Sequence, residues 1–242
     1  MTDLVLHEQL FLVAHGESAG PAARPQSLGP GLVAALLVEL LLAGRLDTAP
    51  GRGRIQDPDQ QGADRQGIDR QGLDSDDPGA GSAAHAALSE VTAAVLREIS
   101  GGDPRPPGYW MRSLADGVYA AVSARMAKAG LVRVESRRRL GQRRTRVEVG
   151  DPLALARLQT DLLHLVNGRR ELDATTCALC GLVAVLRLEN TLEAYADPEF
   201  GAALREVAKI NVPRAEIVLD ALEVALRGAP AAIHRQALLW PR

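Results

Sequence analysis

The alternation of apolar and polar positions divides this chain into helical segments, with one long interruption and one pair of strands. Leu4–Ala14 carries a first short helix. Gly31–Ala43 carries a second, apolar at nearly every position, that stops at Gly44, a residue suited to a left-handed helix end. From Thr48 to Ser82 the period vanishes. A helix over Ala83–Ile99 places Leu88, Val91, Val95 and Ile99 on one face, and the Gly101–Gly108 stretch, with Pro104, Pro106 and Pro107, ends it. A helix over Tyr109–Ala129 aligns Leu114, Val118, Val122 and Met126 and stops at Gly130. Leu131–Glu135 and Arg143–Val149 then alternate with period two, as strands joined by an arginine-rich turn. Asp151-Pro152 opens a helix through Val166 with Leu155, Leu158, Leu162 and Leu165 inward. Asp173 caps another helix, and Pro198–Lys209 and Pro213–Arg227 give two more.

The interruption has a composition of its own. Three five-residue units, Gln61-Gly-Ala-Asp-Arg, Gln66-Gly-Ile-Asp-Arg and Gln71-Gly-Leu-Asp-Ser, follow one another, and seven aspartates between Asp57 and Asp77 face only Arg65 and Arg70. One small or aliphatic residue per unit cannot bury a core, so 48–82 is expected to be a flexible, acidic insertion. The expected organisation is mainly α: one compact helical domain over 1–228 with at least one β-hairpin, and a tail over 229–242.

Composition supports helices. With 46% hydrophobic but only 3% aromatic residues in 242, the core must be built from Leu, Val and Ala, which favour helix over sheet. The longest apolar run, Gly31–Ala43, contains Glu39 and falls short of the ~20 residues that span a bilayer. The first residues show neither a basic start nor a small-residue cleavage site, so no secretory signal is expected. Cys177 and Cys180 form a C-x-x-C without the strand of a redox site or a second ligand pair for zinc. They are expected to be small apolar core residues at i and i+3. The five histidines are scattered, and there is neither a nucleophile elbow nor a phosphate-cradling glycine loop, so a non-enzymatic role without a cofactor is expected.

Charge changes the picture at one place. On a chain of net charge −2, six arginines fall between Arg137 and Arg146, which aims one local patch at an anionic partner. Strand alternation puts Val132, Val134, Thr145, Val147 and Val149 on an apolar face and Arg133, Glu135, Arg144, Arg146 and Glu148 on the other, with Arg137, Arg138 and Arg139 in the turn.

The segments Leu6–Ala14, Gly31–Leu46, Ala127–Val132 running into Arg137–Arg146, and Leu188-Glu-Asn190 resemble the Golgi phosphoprotein 3 family, in its short actinobacterial form. Glu39-Leu-Leu-Leu-Ala-Gly-Arg-Leu46 carries the resemblance most specifically. It implies a helical domain decorated by hairpins, attached peripherally to membranes from the cytoplasm. The family's eukaryotic members bind phosphatidylinositol 4-phosphate in a shallow basic pocket and hold the cytosolic tails of membrane enzymes. The positions of that pocket fall here on Arg24, Val33, Asp116 and Tyr119. The family's self-associating hairpin falls on the insertion, which leaves the oligomeric state open.

Since the pocket's cations are largely replaced, the site expected from the residues is the hairpin. Arg137, Arg138, Arg139, Arg144 and Arg146, with Arg24, would contact anionic phospholipid or phosphoinositide head groups. Two other readings stay open. A helix followed by a basic hairpin imitates a winged helix, although Arg112, Arg125 and Lys128 with Asp116 make a poor face for nucleic acid. A basic patch also suits an adaptor for acidic protein tails.

Overall fold

A computed structural model describes residues 4–16, 25–49, 54–56, 89–139, 142–169, 173–189 and 198–237; at 25–26, 49, 54, 56, 136–139, 142–145, 198 and 228–237 it describes the backbone only. Eight helices appear among the described residues. In chain order the elements are α1 (Leu6–Ala14), α2 (Pro25–Leu42), β1 (Asp47–Ala49), β2 (Arg54–Gln56), α3 (Glu90–Ser100), α4 (Pro107–Lys128), β3 (Val132–Arg139), β4 (Gln142–Val149), α5 (Pro152–Val166), α6 (Ala174–Leu186), α7 (Pro198–Asn211) and α8 (Pro213–Ala237). The fold is mainly α, as the composition requires.

α2 is the axis. Every residue from Leu32 to Val38 is fully buried, and the helix packs against α1, α3, α4, α6 and α8. A helix apolar all round has no solvent face to offer, so the other helices must surround it. It begins six residues before the expected Gly31, through Gly29-Pro30-Gly31, which in isolation reads as a break. Close packing explains the difference. A Cβ on Gly31 would lie 2.8 Å from Leu186 Cδ1 of α6, and one on Gly181 of α6 would lie 2.7 Å from Leu219 Cδ1 of α8. The helices approach where side chains are missing, and that contact outweighs the local cost of glycine.

Two caps follow the sequence reading. Asp151 Oδ1 accepts from the N–H groups of Leu153 and Ala154, both at 3.1 Å, and Asp173 Oδ1 accepts from Thr176 N at 2.8 Å. α3 starts at Glu90, capped by Ser89, rather than at Ala83; residues 83–88, with Leu88, lie outside the described residues.

The insertion is not without structure at its start. β1 and β2 pair antiparallel, Ile55 is fully buried, and its N–H donates to the Arg105 carbonyl at 3.0 Å. A single buried isoleucine and a main-chain bond hold this short ribbon, too little to register as a period. The repeat over 61–75 lies outside the described residues. At the other end α8 continues past Arg227 to Ala237, so most of the expected tail extends a helix, and Trp240 lies outside the description. Among the described residues, no helix is long and apolar enough to cross a membrane.

Candidate functional site

The hairpin is built from its root. α4 ends in a Schellman motif: Gly130, at φ 74°, donates to the Ala127 carbonyl at 3.0 Å, and Leu131 N–H donates to Met126 O at 3.0 Å. The left-handed glycine turns the chain into β3. At the far end of β4, Gly150 N–H donates to Leu131 O at 2.8 Å, and a Cβ there would lie 2.6 Å from the Gly130 carbonyl oxygen. Only glycine closes the root this tightly. From there the ribbon leaves the body. Val132 is buried, but Val134, one step up the same face, is 43% exposed.

The strands pair in register from Val132↔Val149 to Arg139↔Gln142. Arg137, Arg138 and Arg139 therefore belong to β3 and not to the turn. The expectation ended the strand at Glu135 because alternation fails in a run of three arginines, whereas pairing with β4 carries the strand four residues further. The register keeps the expected faces and extends them through the arginine run. Arg133, Arg137, Arg139, Arg144 and Arg146 share one face with Glu135 and Glu148, while Arg138 stands opposite Arg143 on the face that Val132 and Val134 begin. Arg143 was missing from the expected site, and the strand partner of Arg138 is the signal that finds it.

Along the ribbon the charge separates sharply. In the proximal half Arg133 faces Glu148 and Glu135 faces Arg146, so opposite charges meet across the strands. Arg146 is in addition 3.0 Å from Glu148 through Nε. Arg146 is thus partly neutralised. The distal half, 136–145, holds five arginines and no Asp or Glu in its sequence. Arg24 lies outside the described residues.

Of the four positions to which the resemblance assigns a head-group pocket, the three described ones do not form one. Val33 is fully buried in α2, Asp116 is exposed on α4, and Tyr119 is half-buried with its ring 5.8 Å from that of Phe11 and 6.4 Å from that of His15. A carboxylate and an aromatic cluster offer phosphate no cation. On α4, exposed Arg125 binds Glu8 of α1 through Nε, and Arg112 and Lys128 are the other exposed cations of the helix.

Two other concentrations of chemistry are structural. Glu39 joins three helices: its Oε1 accepts from the His7 main-chain N–H and from Nδ1, both at 2.8 Å, and its Oε2 accepts from Thr92 Oγ1 at 3.3 Å. Cys177 and Cys180 are fully buried and unbridged, and burial pushes both thiols up, Cys180 to about 12. Thiols held protonated neither attack nor bind metal. A groove of about 1140 Å³ between α3 and α4, with apolar walls from Val91, Val95, Leu114 and Val118, runs to Leu131 at the hairpin root. Among the described residues, no group of His, Cys, Asp and Glu is placed to hold a metal ion.

The sequence matches the family model of Golgi phosphoprotein 3 (GPP34) over residues 6–229. No curated protein matches it.

Proposed function

Because the chain belongs to the Golgi phosphoprotein 3 family, we propose that it is a non-enzymatic adaptor that attaches peripherally to membranes, its distal β3–β4 hairpin meeting anionic lipid head groups. One observation carries the reading: the part of the hairpin farthest from its root contains five arginines and no Asp or Glu in its sequence. Arginine near an anionic leaflet contributes roughly 1 kcal/mol per residue, and a fork of donors grips phosphate oxygens better than a point charge does. The family's pocket cannot carry this role here, since Asp116 and Tyr119 stand where cations are needed. The α4 face argues against nucleic acid, because Asp116 is exposed and Arg125 is committed to Glu8.

Co-sedimentation with vesicles tests the proposal. The protein is expected to pellet with phosphatidylcholine vesicles that contain phosphatidylserine or phosphatidylinositol 4-phosphate and to stay in solution with phosphatidylcholine alone. Arg137→Glu with Arg144→Glu should abolish recruitment. Equal pelleting with neutral and anionic vesicles sinks the reading, and a salt-dependent shift of duplex DNA without vesicle binding replaces it by nucleic-acid recognition.

A further inference from the structure

In the distal half of the hairpin the register sets arginine against arginine on both faces. Arg137 pairs with Arg144 and, one step on, Arg138 pairs with Arg143. Consecutive strand residues lie on opposite faces, so the two pairs occupy opposite faces of the ribbon. Directly opposed residues have Cβ atoms about 5 Å apart, and like charges at that spacing destabilise the pairing. A two-stranded ribbon has little stability to spare. An anion held at such a pair offsets that cost, and the two pairs offer it a place on each face.

The charge is distributed along the ribbon and not across it. One face carries five arginines and two glutamates, and the other carries two arginines, so both faces are net cationic. The halves differ far more. The distal half has five arginines and no carboxylate, and the proximal half has two arginines set against two glutamates. A ribbon that lay flat on its five-arginine face would bring Glu135 and Glu148 down with its arginines, and one that lay on the other face would use only Arg138 and Arg143. A ribbon that entered end-on keeps both glutamates back and uses both arginine pairs.

We propose that each cross-strand arginine pair, Arg137/Arg144 and Arg138/Arg143, is a phosphate site, so that the hairpin enters a layer of lipid phosphates end-on and holds a phosphate on either face. A phosphate beside such a pair of register partners would accept charge-assisted bonds and offset the repulsion between the two charges. This rests on the membrane reading above and adds to it the direction of approach and the role of Arg138 and Arg143.

The test compares the wild-type chain with Arg137→Gln/Arg144→Gln and Arg138→Gln/Arg143→Gln on vesicles of phosphatidylcholine with and without phosphatidylserine. A wild type that ignores phosphatidylserine overturns the membrane reading itself. With wild type recruited, each double variant is expected to bind about 30-fold more weakly, two arginines' worth. Full binding by Arg138→Gln/Arg143→Gln together with loss in the other pair overturns the two-faced site and leaves a flat approach. Full binding by both variants overturns phosphate binding by the pairs. Arg138→Lys/Arg143→Lys keeps the charge but not the fork and should bind more weakly than wild type and more tightly than the glutamine pair; a loss equal to that of the glutamine pair would show that charge at this pair does not hold phosphate and would overturn the assignment. Inorganic phosphate, added at an ionic strength matched by sodium chloride, is expected to release no more protein than chloride does. Release by phosphate alone gives the sites to free phosphate and overturns the lipid source.

Discussion

α2 and the β3–β4 hairpin are opposites within one chain. From Leu32 to Val38 the helix exposes nothing, and five other helices close around it. The hairpin is buried at Val132, already 43% exposed at Val134, and from 136 to 145 its sequence holds five arginines against one apolar residue, Leu140. Buried apolar surface stabilises at roughly 25 cal/mol per Å², so the fold is held where α2 is. Charge kept out of the core costs the fold little and stays available to a partner. Stability and surface chemistry should therefore respond to different substitutions.

The largest effect should come from the helix. Leu36→Ala opens a cavity in a fully buried position and is expected to cost about 3–5 kcal/mol, a drop near 10 °C in Tm for a chain this long. Recruitment to anionic vesicles, measured below the lowered Tm, should stay at the wild-type level. A large loss of recruitment by folded Leu36→Ala would mean that core and hairpin are coupled. Next comes Glu39→Ala, which leaves the buried His7 donors and Thr92 without their acceptor and is expected to cost about 2 kcal/mol by thermal melt. An unchanged Tm would show that water replaces the carboxylate and that the cluster does not join the helices.

How well each region could be read from sequence follows the same division. Full burial leaves an uninterrupted apolar run, so α2 was plain from Leu32 onward. Its first turns were missed because Gly29-Pro30-Gly31 breaks a helix locally, and the side chains that make glycine favourable there, Ala115 and Leu186, are remote in sequence. The caps at Asp151 and Asp173 were legible because capping is local. The arginine patch was legible as charge but not as geometry. A run such as Arg137–Arg139 has no alternation, so its strand state is set by the pairing with β4, which sequence does not display. Ile55 shows the limit from the other side, since one buried residue in a three-residue strand produces no pattern.

A smaller effect distinguishes the regions by pH. His15 is buried against Phe11, whose carbonyl accepts from Nδ1 at 2.8 Å, and burial lowers its pKa below the usual 6.5. In the unfolded chain the ring takes up a proton that the folded protein refuses, so its contribution to stability is present above pH 6.5 and is lost as pH falls toward the lower folded value. Tm should decline between about pH 7.5 and pH 5.5, and His15→Gln should flatten that decline. Arginine does not titrate in this range, so recruitment through the hairpin should stay constant across it. A wild type and a His15→Gln variant with the same pH slope would remove His15 from the account.

The smallest effect on stability is also the most discriminating. Glu135 and Arg146 are directly paired, so replacing 136–145 by Asn-Gly closes the ribbon on an opposite-charge pair with a two-residue turn suited to hairpins. The excised part lies beyond Val134, which is already 43% exposed, and its removal takes away two like-charge pairs. Tm should therefore stay within about 2 °C of wild type, less than one kcal/mol on a chain of this length. Recruitment to phosphatidylserine vesicles should fall to the level seen with phosphatidylcholine alone. A shortened chain that still binds anionic vesicles would move the contact surface off the hairpin, toward Arg112 and Lys128 on α4. One that melts far below wild type would mean that the distal arginines contribute to the fold, and the contrast between α2 and the hairpin would not hold.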